Sequence, residues 1–219
     1  MNTGTTTSSA APAASVWRDP QAWASTADVV AVLIALALPW STSLVGIFGV
    51  VWVISVVPTL DPGAFAASLR RPISALPIAL FALAVVGTLW SDARWGARLY
   101  AISPTAKLLV LPILLYHYQR STRGMWVLTA FLISCALLMA ASWIVAFDPG
   151  LSLKPRLEGE RGIFVKNYID QSQEFALCAV ALAYPVVTLL RAKRIAPALL
   201  LAAVALSFAV NMTFVIVSR

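Results

Sequence analysis

Of the 219 residues, 60% are hydrophobic and 11% charged, against about 45–50% and about 25% in soluble domains, and the mean hydropathy is +0.85, which excludes an ordinary soluble globular domain. A net charge of +7, from 16 Lys+Arg and 9 Asp+Glu, would point to nucleic acid in a soluble chain; here it belongs to loop cations facing anionic headgroups, so membrane lipids and not nucleic acid are the expected partners. Cys135 and Cys178 lie inside apolar runs and read as small buried hydrophobes, and no cluster has metal-ligand spacing, so no metal or other cofactor is expected.

Residues 1–27 are rich in Thr, Ser, Ala and Pro without an amphipathic period, which predicts a disordered tail. The basic n-region of a cleaved signal peptide is missing. The uncharged run Val29–Val57 is too long for one span of about 20 residues. Pro39-Trp40-Ser41-Thr42-Ser43 interrupts it, predicting a tight hairpin of two helices, about 24–40 and 43–60. A single kinked span is the alternative. Asp61–Pro72 reads as a polar connection ending in Arg70-Arg71, and Ile73–Trp90 as a third span.

Ser91–Ser103 places Arg94 and Arg98 at i,i+4 beside Trp95, Leu99 and Ile102, a pattern suited to a short helix lying in the interface. A short fourth span, Pro104–Tyr118, carries Lys107 near its start. The basic turn Gln119–Gly124 leads to a fifth span, Met125–Phe147. Asp148 to Gln171 is a charged loop. A sixth span, Ser172–Leu190, ends in the basic turn Arg191–Arg194, and Ile195–Val217 forms a seventh. The fold class expected is thus all-α, a polytopic membrane protein of about seven helices: five in residues 28–147, the loop 148–171, and two in 172–219. The abrupt stop at Ser218-Arg219 after an odd number of spans reads as the N-terminal part of a larger bundle.

The basic turns Arg70-Arg71, Arg120/Arg123 and Arg191/Lys193/Arg194 fall on one side of the membrane, with 7 Lys/Arg. Arg94, Arg98, Lys154, Arg156, Arg161 and Lys166 fall on the other, with 6, or 7 including Lys107. The count alone does not orient the chain. Compact acid-free clusters resemble cytoplasmic signals, so the mixed-charge loop is placed outside.

That loop gathers much of the scarce charge: Arg156, Arg161 and Lys166 interleaved with Glu158, Glu160, Asp170 and Glu174. Guanidinium forks and a lysine point charge suit a diphosphate, and Gly159 and Gly162 would let the backbone approach a ligand. The bland alternative, at about even odds, is a loop whose arginines touch lipid phosphates or pair with Glu158 and Glu160. Asn167, Gln171 and Glu174 form a polar lead into the sixth span, with Gln171, Glu174 and Cys178 on one face. That face suits sugar hydroxyls or a hold on Arg161, although helix capping explains it as well. Arg98 and Lys107 are candidates for a second anion contact, set against snorkelling to headgroups. His117 has no carboxylate nearby in sequence and reads as structural. Trp40, Trp90 and Trp95 read as interface anchors.

The run Gly159–Phe175, GERGIFVKNYIDQSQEF, resembles the segment that opens the polymerase/ligase domain of the O-antigen ligase family, a G-x-F/P-x-K-N-x-I-x-Q-S-like stretch matched by Gly162, Phe164, Lys166, Asn167, Ile169, Gln171 and Ser172. The Pro39-Trp40-Ser41 hairpin, Trp90-Ser91, the Lys107-led helix with Pro112, and Ser218-Arg219 agree with the family's plan. The resemblance covers residue 28 to the end. It implies a multi-pass protein of the bacterial inner membrane with a GT-C-like helical body and the charged loop in the periplasm. It also implies a metal-free transfer of glycan from undecaprenyl diphosphate to a lipid A-core acceptor in lipopolysaccharide biosynthesis.

By position Arg161, or else Arg156, would be an arginine that holds the diphosphate. Members carry a later periplasmic loop whose histidine activates the acceptor; this sequence has no such loop, so little or no transferase activity is expected of it. Two other classes stay open. One is part of a transporter or flippase for an anionic lipid-linked substrate, for which charge near the midplane and internal repeats would speak. The other is a non-catalytic membrane scaffold.

Overall fold

The computed structural model describes residues 19–153, 162–165 and 167–215, and all regular structure among them is helical. The elements are α1 (Pro20–Ala37), α2 (Thr42–Val56), α3 (Pro62–Leu69), α4 (Pro72–Gly87), α5 (Trp95–Ala106), α6 (Val110–Tyr118), α7 (Gly124–Phe147), α8 (Tyr168–Arg191) and α9 (Ile195–Val210). With their short 3₁₀ and π extensions they make seven segments long and apolar enough to cross a membrane. Large apolar side chains such as Ile47, Ile54, Leu83, Leu137 and Leu199 stand exposed on them. Such surface is costly in water and at home in hydrocarbon, where helices closing all their own backbone hydrogen bonds are a stable way across. The chain is a multi-pass membrane protein.

Boundaries differ from expectation where local chemistry intervenes. The first helix starts at Pro20 and so takes in residues assigned to the tail. Asp19 Oδ1 accepts from Gln21 N at 2.9 Å, and Pro20 at the first helical position lacks an N–H that would be orphaned there anyway. The supposed connection Asp61–Pro72 contains α3, capped by Asp61 Oδ1, which accepts from Gly63 N at 2.9 Å and Ala64 N at 3.4 Å.

The interfacial helix and short fourth span expected at residues 91–118 are instead one span, Trp95–Tyr118. Pro104 lies inside α5, and a 3₁₀ turn at Lys107–Leu109 carries the helix on into α6. A proline deletes one i→i−4 bond, and a local switch to tighter i→i−3 bonding lets the helix continue. The sixth span begins at Tyr168 rather than Ser172. Asn167 is its N-cap, accepting from Asp170 N at 2.8 Å and donating through Nδ2 to Asp170 Oδ2 at 3.1 Å.

The chain divides into two compact units, Met1–Val29 with Val51–Gly124 and Val30–Val50 with Met125–Arg219. In the first unit, α6 is the polar hub. Tyr116 Oη accepts from Asp61 N at 3.1 Å and stands edge-on to Phe65. Arg71 Nη1 donates to Gln119 Oε1 at 2.9 Å, joining the basic turns Arg70-Arg71 and Arg120/Arg123 at one end of the unit as expected. His117 Nε2 lies 2.8 Å from Asp28 Oδ1, which also accepts from Ser121 Oγ at 2.7 Å. A carboxylate buried in a membrane helix must find such partners. His117 therefore has a carboxylate after all, 89 residues away in sequence.

In the second unit, Phe131, Cys135, Leu138, Phe175, Cys178, Leu182 and Phe208 form a core shared by α7, α8 and α9. Both cysteines are fully buried, as read from the sequence. Trp40 is no mere interface anchor: its Nε1 donates to Ser134 Oγ at 2.8 Å, and Ser134 donates in turn to Leu36 O at 2.7 Å. Lipid tails are as apolar as leucine, so contacts of this kind, together with close packing at small residues such as Ala130, hold the helices together. α8 and α9 pack as a hairpin about the turn Arg191–Arg194. There Arg194 N donates to Leu189 O at 2.9 Å and Lys193 N to Leu190 O at 3.0 Å. Lys193 takes the left-handed φ of 57°, completing a Schellman closure.

Candidate functional site

The site builds outward from one glycine. Gly162 has φ +68°, and a Cβ there would lie 2.5 Å from Val215 Cγ1, 3.0 Å from Val215 O and 3.2 Å from Ser142 Oγ. Glycine is required twice over, for the left-handed backbone and for the missing side chain. The close approach at Gly162 is to α7 and to the last helix. The next two residues complete the anchor. Ile163 is buried in the core of the second unit, its carbonyl accepting from Ser152 Oγ at 3.3 Å, and Phe164 stands edge-on to Trp40 with centroids 6.2 Å apart.

The carbonyl of Gly162 accepts twice, from Ser142 Oγ of α7 at 2.6 Å and from Gln171 Nε2 of α8 at 3.1 Å. Ser142 Oγ also lies 3.2 Å from Asn211 Oδ1. One hydroxyl proton cannot serve both acceptors, and the shorter contact takes it. Exchange of the isosteric amide O and N would let Asn211 donate to Ser142 while Ser142 donates to Gly162. Asn211 opens the π-helical segment Asn211–Val215 that ends the described chain. Single π-turns widen a helix locally and recur at functional sites.

Ser142, Gln171 and Asn211 are all at most 1% exposed. Gln171 Oε1 and the second amide atom of Asn211, Nδ2 before the exchange and Oδ1 after it, have no hydrogen-bond partner among the described residues. Unmatched amide atoms in one buried cluster are costly as they stand. A small group able both to donate and to accept, such as a hydroxyl or a water, has complementary chemistry. Glu174, one turn along α8, is buried and engaged.

Of the residues singled out in the sequence, Gln171, Glu174 and Cys178 do share a buried face of α8, and Asn167 caps that helix. Arg156, Arg161 and Lys166, with Gly159, lie outside the described residues. Arg98 belongs to the first unit, where its Nε donates to Ala93 O at 2.7 Å, its Nη1 to Thr88 O at 3.1 Å, and its guanidinium lies 4.7 Å over Trp95. It closes the end of α4. Lys107, also in the first unit, is exposed on the 3₁₀ turn.

Sequence reasoning passed over Ser142 and Asn211. The available signal was that Asn211 is an amide in an otherwise apolar terminal span, and an isolated polar group at membrane depth is itself a pointer to a site. Compared with known proteins, the chain matches no family model, no curated sequence and no solved structure.

Proposed function

We propose that this is a membrane protein of O-antigen ligase type, whose loop 148–171 holds the diphosphate of an undecaprenyl-linked glycan on the way to a lipid A-core acceptor at the periplasmic face of the bacterial inner membrane. The single observation that carries this reading is the anchoring of Gly162–Phe164 among Ser142, Gln171 and Asn211. Gly162 directly follows Arg161 in the sequence. Arg161 is the residue the resemblance assigns to the diphosphate.

The chemistry is consistent. Departure of a lipid diphosphate needs stabilisation of its developing charge, which guanidinium groups held in place supply without a metal. A glycan offers many hydroxyls, and a hydroxyl can donate to Gln171 Oε1 and meet the second amide atom of Asn211 as donor or acceptor. Activation of the acceptor needs a base within hydrogen-bond reach. What is proposed for this chain is binding of the carrier.

A titration of the chain in nanodiscs with undecaprenyl diphosphate and with undecaprenol tests the ligand class. Saturable binding of the diphosphate at least tenfold tighter than the alcohol is expected. Equal affinity for both would show that only the polyprenyl chain is recognised, and would remove the diphosphate site.

A further inference from the structure

A second site stands in the first unit, independent of the carrier reading. There a cavity of about 380 Å³ is lined by residues of α1 and α6 and of the basic turn after α6, a volume suited to a small ligand. Its depth is set by the helices. Pro20 starts one span, Thr59 ends the next, Tyr116 lies in the last turn of Trp95–Tyr118, and Arg123 directly precedes Gly124–Phe147. Where span termini converge, lipid phosphates lie alongside.

The charged side chains facing the cavity are two guanidiniums, Arg120 and Arg123, and one carboxylate, Asp28; His117 is the remaining titratable group besides Tyr116. Asp28 is engaged through Oδ1 by His117 and Ser121. Arg123 Nη1 donates to Ser25 Oγ at 2.8 Å, which orients its fork. Arg120 is exposed and stacks 4.3 Å over the Tyr116 ring, a pose that fixes the guanidinium plane and keeps its in-plane N–H groups available for phosphate oxygens. The two guanidiniums and the one carboxylate sum to one positive charge. That is the complement of one phosphodiester, and the hydroxyls of Ser25 and Thr122 add neutral donors.

We propose that this cavity binds the phosphodiester headgroup of a singly anionic glycerophospholipid such as phosphatidylglycerol. The test titrates the delipidated full chain in detergent with phosphatidylglycerol, with diacylglycerol and with inorganic phosphate, followed by native mass spectrometry. Arg120→Ala is the variant of choice, because Arg120 is exposed and outside the buried Asp28–His117 pair. The expected result is binding of phosphatidylglycerol, weakened about tenfold or more by Arg120→Ala, with diacylglycerol bound far more weakly. Unchanged affinity in Arg120→Ala, or diacylglycerol bound as tightly as phosphatidylglycerol, overturns the site. Inorganic phosphate bound as tightly as the lipid overturns the lipid assignment and makes this a free-anion pocket.

Discussion

Gly162 decides how the charged loop rejoins the helices. Replacing it with alanine adds a packing clash of about 1–3 kcal/mol to a left-handed strain of about 1–2 kcal/mol. The clash is with the backbone carbonyl of Val215 as well as its side chain, so rotamer changes alone do not relieve it. Gly162→Ala is therefore expected to destabilise the second unit by about 2–5 kcal/mol, read as a lower unfolding temperature in detergent. A change of under 0.5 kcal/mol would mean that the segment is not seated as described. The sequence offered Gly162 as a place of close backbone approach but could not show the packing there, because the crowding atoms come from Val215 and Ser142, distant in the chain. The shared face of Gln171, Glu174 and Cys178 was legible, since i,i+3 and i,i+4 spacing is a local property. The Asp28–His117 pair was not, being a contact across 89 residues.

At the scale of elements, the existence of the spans was readable because apolar length decides it, and their ends were not, because caps and prolines decide those. Pro104 marked a helix start on the sequence, yet it sits inside α5 with a 3₁₀ turn just beyond it. The α8–α9 turn carries a further consequence of capping. Lys193 occupies the left-handed position that glycine usually fills. Lys193→Gly should relieve that conformation and stabilise the hairpin by about 0.5–1 kcal/mol, visible as a small rise in unfolding temperature. Lys193→Ala keeps the Cβ and should bring no gain. Equal effects of the two substitutions would trace the change to the lost charge instead.

Charge is scarce across the molecule, and each unit holds its own buried polar group. In the first unit that group is Asp28 with His117 and Ser121; in the second it is Ser142, Gln171 and Asn211 around the Gly162 carbonyl. The residues proposed to meet a diphosphate flank Gly162 in the sequence. The measurement that bears most directly on the proposed function is therefore the affinity of undecaprenyl diphosphate for the chain in nanodiscs, wild type beside Arg161→Ala. Loss of one charge-assisted contact, about 1.5–3 kcal/mol, predicts a roughly 10- to 100-fold weaker Kd with the fold intact. Equal binding by the two proteins, or none by either, would contradict the account and leave the loop as a surface that meets lipid headgroups only.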